Sequence, residues 1–412
     1  MSADLRPGYK QTEVGVIPEA WEVSTVGQQF EIKLGKMLDA EKNVGVPKPY
    51  LGNKAVQWDR VDIADLPTVP MSRADVERYR LRKGDLLVCE GGEVGRAAIW
   101  DAPLAECYYQ KALHRLRPLR GFNSQVMAAL LRQWSDRGLL TNYVTQTSIA
   151  HLPREKFMEV PMPVPSLPEQ RAIAEALSDV DALLGALDRL VAKKRDLKQG
   201  AMQQLLTGHT RLPGFHGEWE VKDLGDIATF HKGKGLPKSA LSQFGADPCI
   251  HYGELFTRYG ATIGETFSRT DSSGATFRSV ANDVLMPTSD VTPRGLAKAS
   301  CVRMDKVVLG GDILVIRCDR TLVFGSFLSY LIRYEEDQVL QLVTGSTVFH
   351  LYGNDMKKYR FFMPSLPEQI AIVEILSDID EELASLERRR DKTRALKQGM
   401  MQELLTGKTR LV

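Results

Sequence analysis

At 412 residues the chain is long enough for two or three domains, each burying its own core. Five scattered cysteines with no C-x-x-C pair, no histidine at zinc-ligand spacing, no run of about 18 apolar residues and no apolar core in "MSADLRPGYKQTEVG" predict a reduced, cytoplasmic protein with neither a structural metal nor a membrane span. A formal charge of +2 and a pI near 8.2 are too mild to announce nucleic acid, so only the distribution of charge can inform.

Residues 1–165 read as a globule of short strands such as "DLLVCE" and "AAIW", separated by Gly, Pro, Asp and Asn turns. "SQVMAALLRQW" from Ser124 is the one long helical period. Basic residues sit in glycine-containing loops: Lys33 and Lys36 in "KLGK", Arg96 in "GGEVGR". Such loops lay cationic side chains and backbone N–H groups against phosphates, and arginine also forks onto guanine edges; taken singly, each is more often a solvated turn. "TQTS" from Thr145 adds Gln146, Thr147 and Ser148, whose amide and hydroxyl groups suit base edges as well as they suit local turn bonding. His151, just beyond, reads as a structural histidine, because no Ser, Cys or Asp partner recurs at a matched spacing.

Residues 166–212 open with S-L-P-E, which predicts Ser166 as N-cap with Glu169 as its capping-box partner and Pro in the first turn. Ile173, Leu177, Val180, Leu184, Leu187 and Val191 then step by four and three, an a/d seam. A helix running to the "LL" before the last glycine spans roughly 58 Å; one ended by Gly200 spans roughly 48 Å.

Residues 213–364 again read as strands ("DVLMP", "ILVIRC") and turns. Basic glycine loops recur, with Lys232 and Lys234 in "HKGKG" and Arg294 and Lys298 in "TPRGLAK". "TGST" supplies Thr344 and Ser346 just before His350, and His151 and His350 are 199 residues apart.

Residues 365–412 repeat the segment at 166–212. Ser365 to Leu411 aligns without a gap on Ser166 to Leu212, with 30 of 47 positions identical. The seam recurs as Ile372, Leu376, Ile379, Leu383 and Leu386, behind Ser365 and Glu368. In this copy acids (Glu374, Asp378, Asp380, Glu381, Glu382) precede bases (Arg388, Arg389, Arg390, Lys392, Arg394, Lys397). That order suits the helix dipole, and it also favours pairing the two copies antiparallel, each acidic half beside the other's basic half. The expected architecture is therefore α+β: two globular domains joined by two long helices in an antiparallel coiled coil, related by an internal pseudo-two-fold repeat.

No catalytic motif accompanies this plan. "LLTGKT" resembles a phosphate loop, but Gln402 stands where the first glycine is needed, the segment follows a helix instead of leading into one, and the first copy has His209 in place of the lysine.

The pattern as a whole resembles the specificity subunits of type I restriction-modification systems. The resemblance rests on "GYKQTEVGVIPEAWEV" at Gly8–Val23, the "PSLPEQ" openings at Pro165 and Pro364, and the endings "LKQGAMQQLLTG" and "LKQGMMQELLTG". It implies two target-recognition domains, 1–165 and 213–364, each reading one half of a split site in double-stranded DNA. It also implies shared helices that dock two modification (methyltransferase) subunits. Those subunits would hold S-adenosylmethionine and methylate adenine; restriction subunits acting as translocase and endonuclease would join them, and this chain would be non-catalytic with no cofactor of its own. The competing reading is a two-headed protein- or RNA-binding scaffold with a coiled-coil spacer. An enzyme acting alone is the third, and the missing motifs weigh against it.

Overall fold

The computed structural model describes residues 6–411 apart from 40, 42, 147–149 and 272–275. The described chain forms two compact units, one made of residues 1–187 with 389–412 and the other of residues 188–388. Each unit holds one globular head, the first half of the long helix that follows that head, and the second half of the other long helix.

In the first unit an antiparallel sheet runs in the order Ala97–Ile99, Leu86–Cys89, Leu113–Pro118, Phe30–Leu34. A smaller sheet combines Tyr108–Tyr109, Val46–Leu51 and Thr68–Met71. Every residue of Leu86–Cys89 is buried, which is why that run reads as continuous apolar sequence without the alternation of a half-exposed strand. The helix Ser124–Asp136 is capped by Asn123, whose side chain accepts from the Gln125 and Val126 amides, and it buries Val126, Met127, Leu130, Leu131 and Trp134.

The second unit repeats the plan. Its main sheet runs Ala228–Lys232, Ile313–Cys318, Asp283–Pro287, Ser300–Val302, Thr262–Ile263, and its second sheet Ser268–Thr270, Asp247–Ile250, Val308–Leu309, Phe277–Arg278. A buried aspartate ties corresponding strands in each head: Asp85 takes Arg117 at 2.6 Å, and Asp283 takes Arg317 at 2.8 Å. Both heads close the same way, by an antiparallel pair between a strand near their start and their last strand: Glu22–Thr25 with Pro161–Val164, and Glu220–Asp223 with Arg360–Met363.

One repeat position differs in a way that pH can probe. His114 and Leu314 occupy equivalent places, pairing Val88 and Met286 respectively. His114 is fully buried, its Nε2 lies 2.8 Å from the Leu152 carbonyl, and its Nδ1 has no partner among the described residues. Burial pushes its pKa down from 6.5 to about 4. Between those values the unfolded chain binds a proton that the folded head refuses, so this contribution is intact above pH 6.5 and is lost as pH falls toward 4. The first head should lose up to about 3 kcal/mol of stability across that window, by the linkage of about 1.4 kcal/mol per pKa unit. Thermal unfolding of wild type and His114→Leu at pH 8 and pH 5 checks this; the variant should lose most of the acid sensitivity of that head.

The long helices are Leu167–Leu206 and Leu366–Leu404, each about 60 Å by helical rise. They continue through Gly200 and Gly399 and stop at "LLTG", where Gly208 and Gly407 take the left-handed conformation (φ 71° and 68°) that ends a helix without strain. Within the first unit the helix segments run antiparallel: Asp181 meets Lys397 at 2.7 Å, and Glu169 meets Arg410. They do so in the second unit too, where Lys194 pairs with Glu382, Arg195 with Glu387, Lys198 with Asp380 at 2.6 Å, and Arg211 with Glu368 at 2.6 Å.

Two expectations need correction. The front of each predicted seam serves the head: Ile173 and Leu177 are buried in the first head's core with Met401, Leu404 and Leu405, and Ile372 and Leu376 in the second's with Leu205 and Leu206. Beyond them Leu187 and Val191 are buried, while Val180, Leu184, Ile379, Leu383 and Leu386 are half-buried. The capping boxes are also replaced. Ser166 Oγ accepts weakly from the Glu169 amide at 3.4 Å, but the glutamate side chain turns inward. Fully buried, Glu169 accepts from Trp21 Nε1 at 2.8 Å and from the Arg410 guanidinium. Its counterpart Glu368 accepts from Trp219 Nε1 at 3.2 Å and from Arg211 at 2.6 and 2.7 Å. The next residue of each motif, Gln170 or Gln369, accepts from a backbone amide of its head (Asn123 or Phe324) and donates to the carbonyl of Pro165 or Pro364. Each "PSLPEQ" is thus a latch, closed by the "TRL" that ends the other helix.

Candidate nucleic-acid interface

In the second unit the strand Ala228–Lys232 lies at the edge of the main sheet. Beside it opens a cleft of about 800 Å³, walled by His231, Lys232, His350, Tyr352, Asn354 and Lys357 among others. His350 stacks on Tyr352 with ring centroids 6.0 Å apart, and His231 stacks on Phe277 at 5.3 Å. Lysines beside such a cleft can meet the phosphates of a duplex, and the His350 and Asn354 side chains that wall it are of the kinds that hydrogen-bond phosphates or base edges.

The strand leads into a loop fixed at both ends. A side chain at Gly233 would collide with the Gly310 carbonyl, and the Gly233 and Lys234 amides donate to Ile313 and Leu309. Farther on, Ser242 and Arg269 exchange backbone hydrogen bonds at 2.8 Å, and the Arg269 guanidinium donates to the Gly245 and Ala246 carbonyls at 2.5 Å. Between these clamps Phe244 is 91% exposed. The loop from 233 to 246 carries Lys234 and Lys238, both exposed, and no acidic residue. The first head has the same device: a side chain at Gly35 would meet the Tyr109 carbonyl, the Lys36 amide donates to that carbonyl, and the connection that follows exposes Met37, Val44 and Val46.

The predicted basic residues fare unequally. Lys33 pairs with Glu31 at 2.7 Å, and Lys36 with Asp75 at 2.9 Å in a largely buried contact. Arg96 holds its own loop, donating to the Asn53 carbonyl at 2.9 Å and to Glu93 at 3.1 Å. Lys298 donates to the Phe256 carbonyl at 3.0 Å, and Arg294 pairs with Glu336. Lys232 is exposed and within 3.3 Å of Asp312. Of these basic residues only Lys234 has neither a side-chain hydrogen bond nor an ion pair among the described residues. Gln146 pairs with Ala150 in a short hairpin, whereas Thr147 and Ser148 lie outside the described residues. Thr344 makes a backbone bridge to His350, and Ser346 is exposed in the turn between them. Phe244 and Tyr352 carry no signal in the sequence, because neither motif nor periodicity distinguishes an exposed aromatic from a core one. No cluster of three or more metal-ligating side chains exists among the described residues, and no helix there is long and apolar enough to cross a membrane.

The type I restriction modification DNA specificity domain matches this chain twice, over residues 18–191 and 216–393, once per head. The chain belongs to this family. A Methanocaldococcus jannaschii protein named as the MjaX type I restriction enzyme specificity subunit is 23% identical over 421 residues, covering 98% of this chain and 97% of that one. The StySPI specificity subunit of Salmonella potsdam is 21% identical, covering 87% and 82%. Among solved structures, the type I restriction-modification S subunit from M. genitalium superposes with a TM-score of 0.63 at 16% identity, over 97% of this chain and 99% of that one. A chain from a study of complex assembly and conformational transition in a type I system gives 0.55 at 16% identity, over 95% and 99%. The specificity-subunit fold thus extends over nearly the whole chain, and the reading as a protein- or RNA-binding scaffold finds no support in these relatives.

Proposed function

We propose that this chain is the sequence-reading subunit of a type I restriction-modification complex. Each head reads one half of a bipartite site in double-stranded DNA, and the two long helices dock two modification subunits. The chain itself is non-catalytic; S-adenosylmethionine and the methyl transfer belong to the modification subunits, and restriction subunits join the same assembly. The observation that carries the reading is the double match of a DNA specificity domain, one per head, together with a clamped loop at the same position in both heads. Two non-identical heads suit an asymmetric site, and one repeated helix suits two copies of one partner.

The test is to express the chain with its modification subunits and map methylated adenines: one bipartite motif should appear, and no motif should appear when this chain is left out. Methylation by the isolated chain would overturn the non-catalytic assignment.

The exposed loop of the second head divides into two measurable roles. Lys234→Ala with Lys238→Ala should weaken binding to all duplexes alike and flatten the salt dependence by up to about one unit of slope for each phosphate no longer neutralised. Phe244→Ala should leave that slope unchanged and lower only the preference for the target over unrelated DNA, roughly tenfold, the scale of one base contact. Titrations of the assembled complex at several salt concentrations separate the two; an unchanged slope for the lysine variant returns those residues to the solvated surface.

A further inference from the structure

Tyr330 of the second unit has no counterpart in the first. The amides of Asn123 and Phe324 each donate to the glutamine of a latch, which sets Ser124–Asp136 against Gly325–Tyr334 and places Ala129 opposite Tyr330. The burial pattern agrees, since Leu130 and Leu131 are buried as Leu331 and Ile332 are. Tyr330 is only 2% exposed. Its hydroxyl donates to Asp380 at 2.7 Å with the Ser377 side chain beside it, and the Lys198 ammonium, 2.6 Å from Asp380, lies 5.7 Å from the ring centroid.

The first unit keeps every one of these partners. Ser178 and Asp181 stand 199 residues before Ser377 and Asp380, and Lys397 stands 199 after Lys198. Asp181 and Lys397 form the same ion pair, at 2.7 Å. With alanine at 129, these groups wall a cavity of about 240 Å³, whose apolar side is completed by Ala98, Ala174 and Leu177. A cavity of roughly 150 Å³ is enough to hold a benzene ring, so a substituted ring fits this one. Around it the carboxylates of Asp59, Asp101 and Asp181 outnumber the cations of Lys397 and Arg132. That balance disfavours an anionic ligand and suits a hydroxyl that donates.

We propose that this cavity is a binding site for a phenol ring, held as the second unit holds Tyr330. The hydroxyl donates to Asp181, the ring meets the Lys397 ammonium, and the alanines pack against its apolar side. A free phenolic compound and a tyrosine side chain presented by another polypeptide offer the same chemistry; the mouth of the cavity decides between them. The site is independent of the function proposed above, since neither DNA nor a modification subunit enters the reasoning.

The experiment titrates the full chain with p-cresol, with toluene, which has the ring without the hydroxyl, and with N-acetyltyrosinamide. Wild type should bind one p-cresol and bind toluene at least roughly tenfold more weakly, the scale of a hydrogen bond to a charged acceptor. Ala129→Tyr should abolish that site and raise the melting temperature of the first unit, because it supplies from within the chain what p-cresol supplies from outside. Tyr330→Ala should lower the melting temperature of the second unit, create a second site there, and regain part of the lost temperature when p-cresol is added. N-acetyltyrosinamide binding as well as p-cresol would assign the site to a tyrosine side chain, and binding of p-cresol alone would assign it to a free phenol. A wild-type chain that binds no p-cresol would overturn the inference, as would an Ala129→Tyr variant that binds it as well as wild type does.

Discussion

Exchanging residues 213–364 for the corresponding segment of another family member should change one half of the methylated DNA motif and leave the other half, and the modification activity, as they were. The reason is how the second head closes. Its first strand, Glu220–Asp223, pairs antiparallel with its last, Arg360–Met363, so both ends of the exchanged segment enter and leave side by side. The helices that flank the segment stay intact, and Arg211 remains to close on Glu368. The incoming head must supply a tryptophan at the place of Trp219, whose indole N–H is the third member of that latch. Mapping methylated adenines in cells carrying the parent and the exchanged chain gives the result directly. A change in both halves of the motif would mean that the heads do not read independently.

The other large effect is expected on stability. Glu169→Ala should destabilise the first unit by about 3 kcal/mol, the lower end for breaking a buried pair, because Arg410 is partly exposed while the glutamate is not. The substitution leaves the Trp21 indole N–H and the Arg410 guanidinium without their acceptor against a packed core. For a unit of roughly 200 residues this lowers its melting temperature by about 6–12 °C. Arg410→Ala should lower it at least as much, since it leaves the fully buried Glu169 carboxylate with the Trp21 indole N–H but no counter-charge. Calorimetry of the whole chain is the right measurement, because two units need not unfold in one step. The second unit's transition should stay in place in these variants and move in Glu368→Ala. If Glu169→Ala and Arg410→Ala both leave the scan unchanged, the latch joins the segments without stabilising them.

The tryptophan, the glutamate and the arginine of each latch are all visible in the sequence, yet local spacing makes the side chain of Glu169 a cap. The local rule is sound as far as it reaches: a serine three residues before a glutamate does start a helix there. What overrides it is a contact with Arg410, 241 residues away, and no local pattern encodes a partner at that distance. The loops mislead for a related reason. Lys36, Arg96 and Lys298 sit in loops of phosphate-binding composition, but each is engaged by a carboxylate or carbonyl brought in by another part of its head, whereas Phe244, which no sequence pattern singles out, stands in water.

The sequence by itself determined the duplication, the two long helices and the buried strands. Each is written in spacing: identity at a constant offset, apolar steps of three and four, continuous apolar runs. Tertiary structure alone decided which end of which helix closes each head, which part of the seam becomes head core, and which basic residues are left facing solvent. Those outcomes depend on which groups satisfy one another across hundreds of residues, and a buried charge or an exposed ring is defined by its surroundings, not by its own identity.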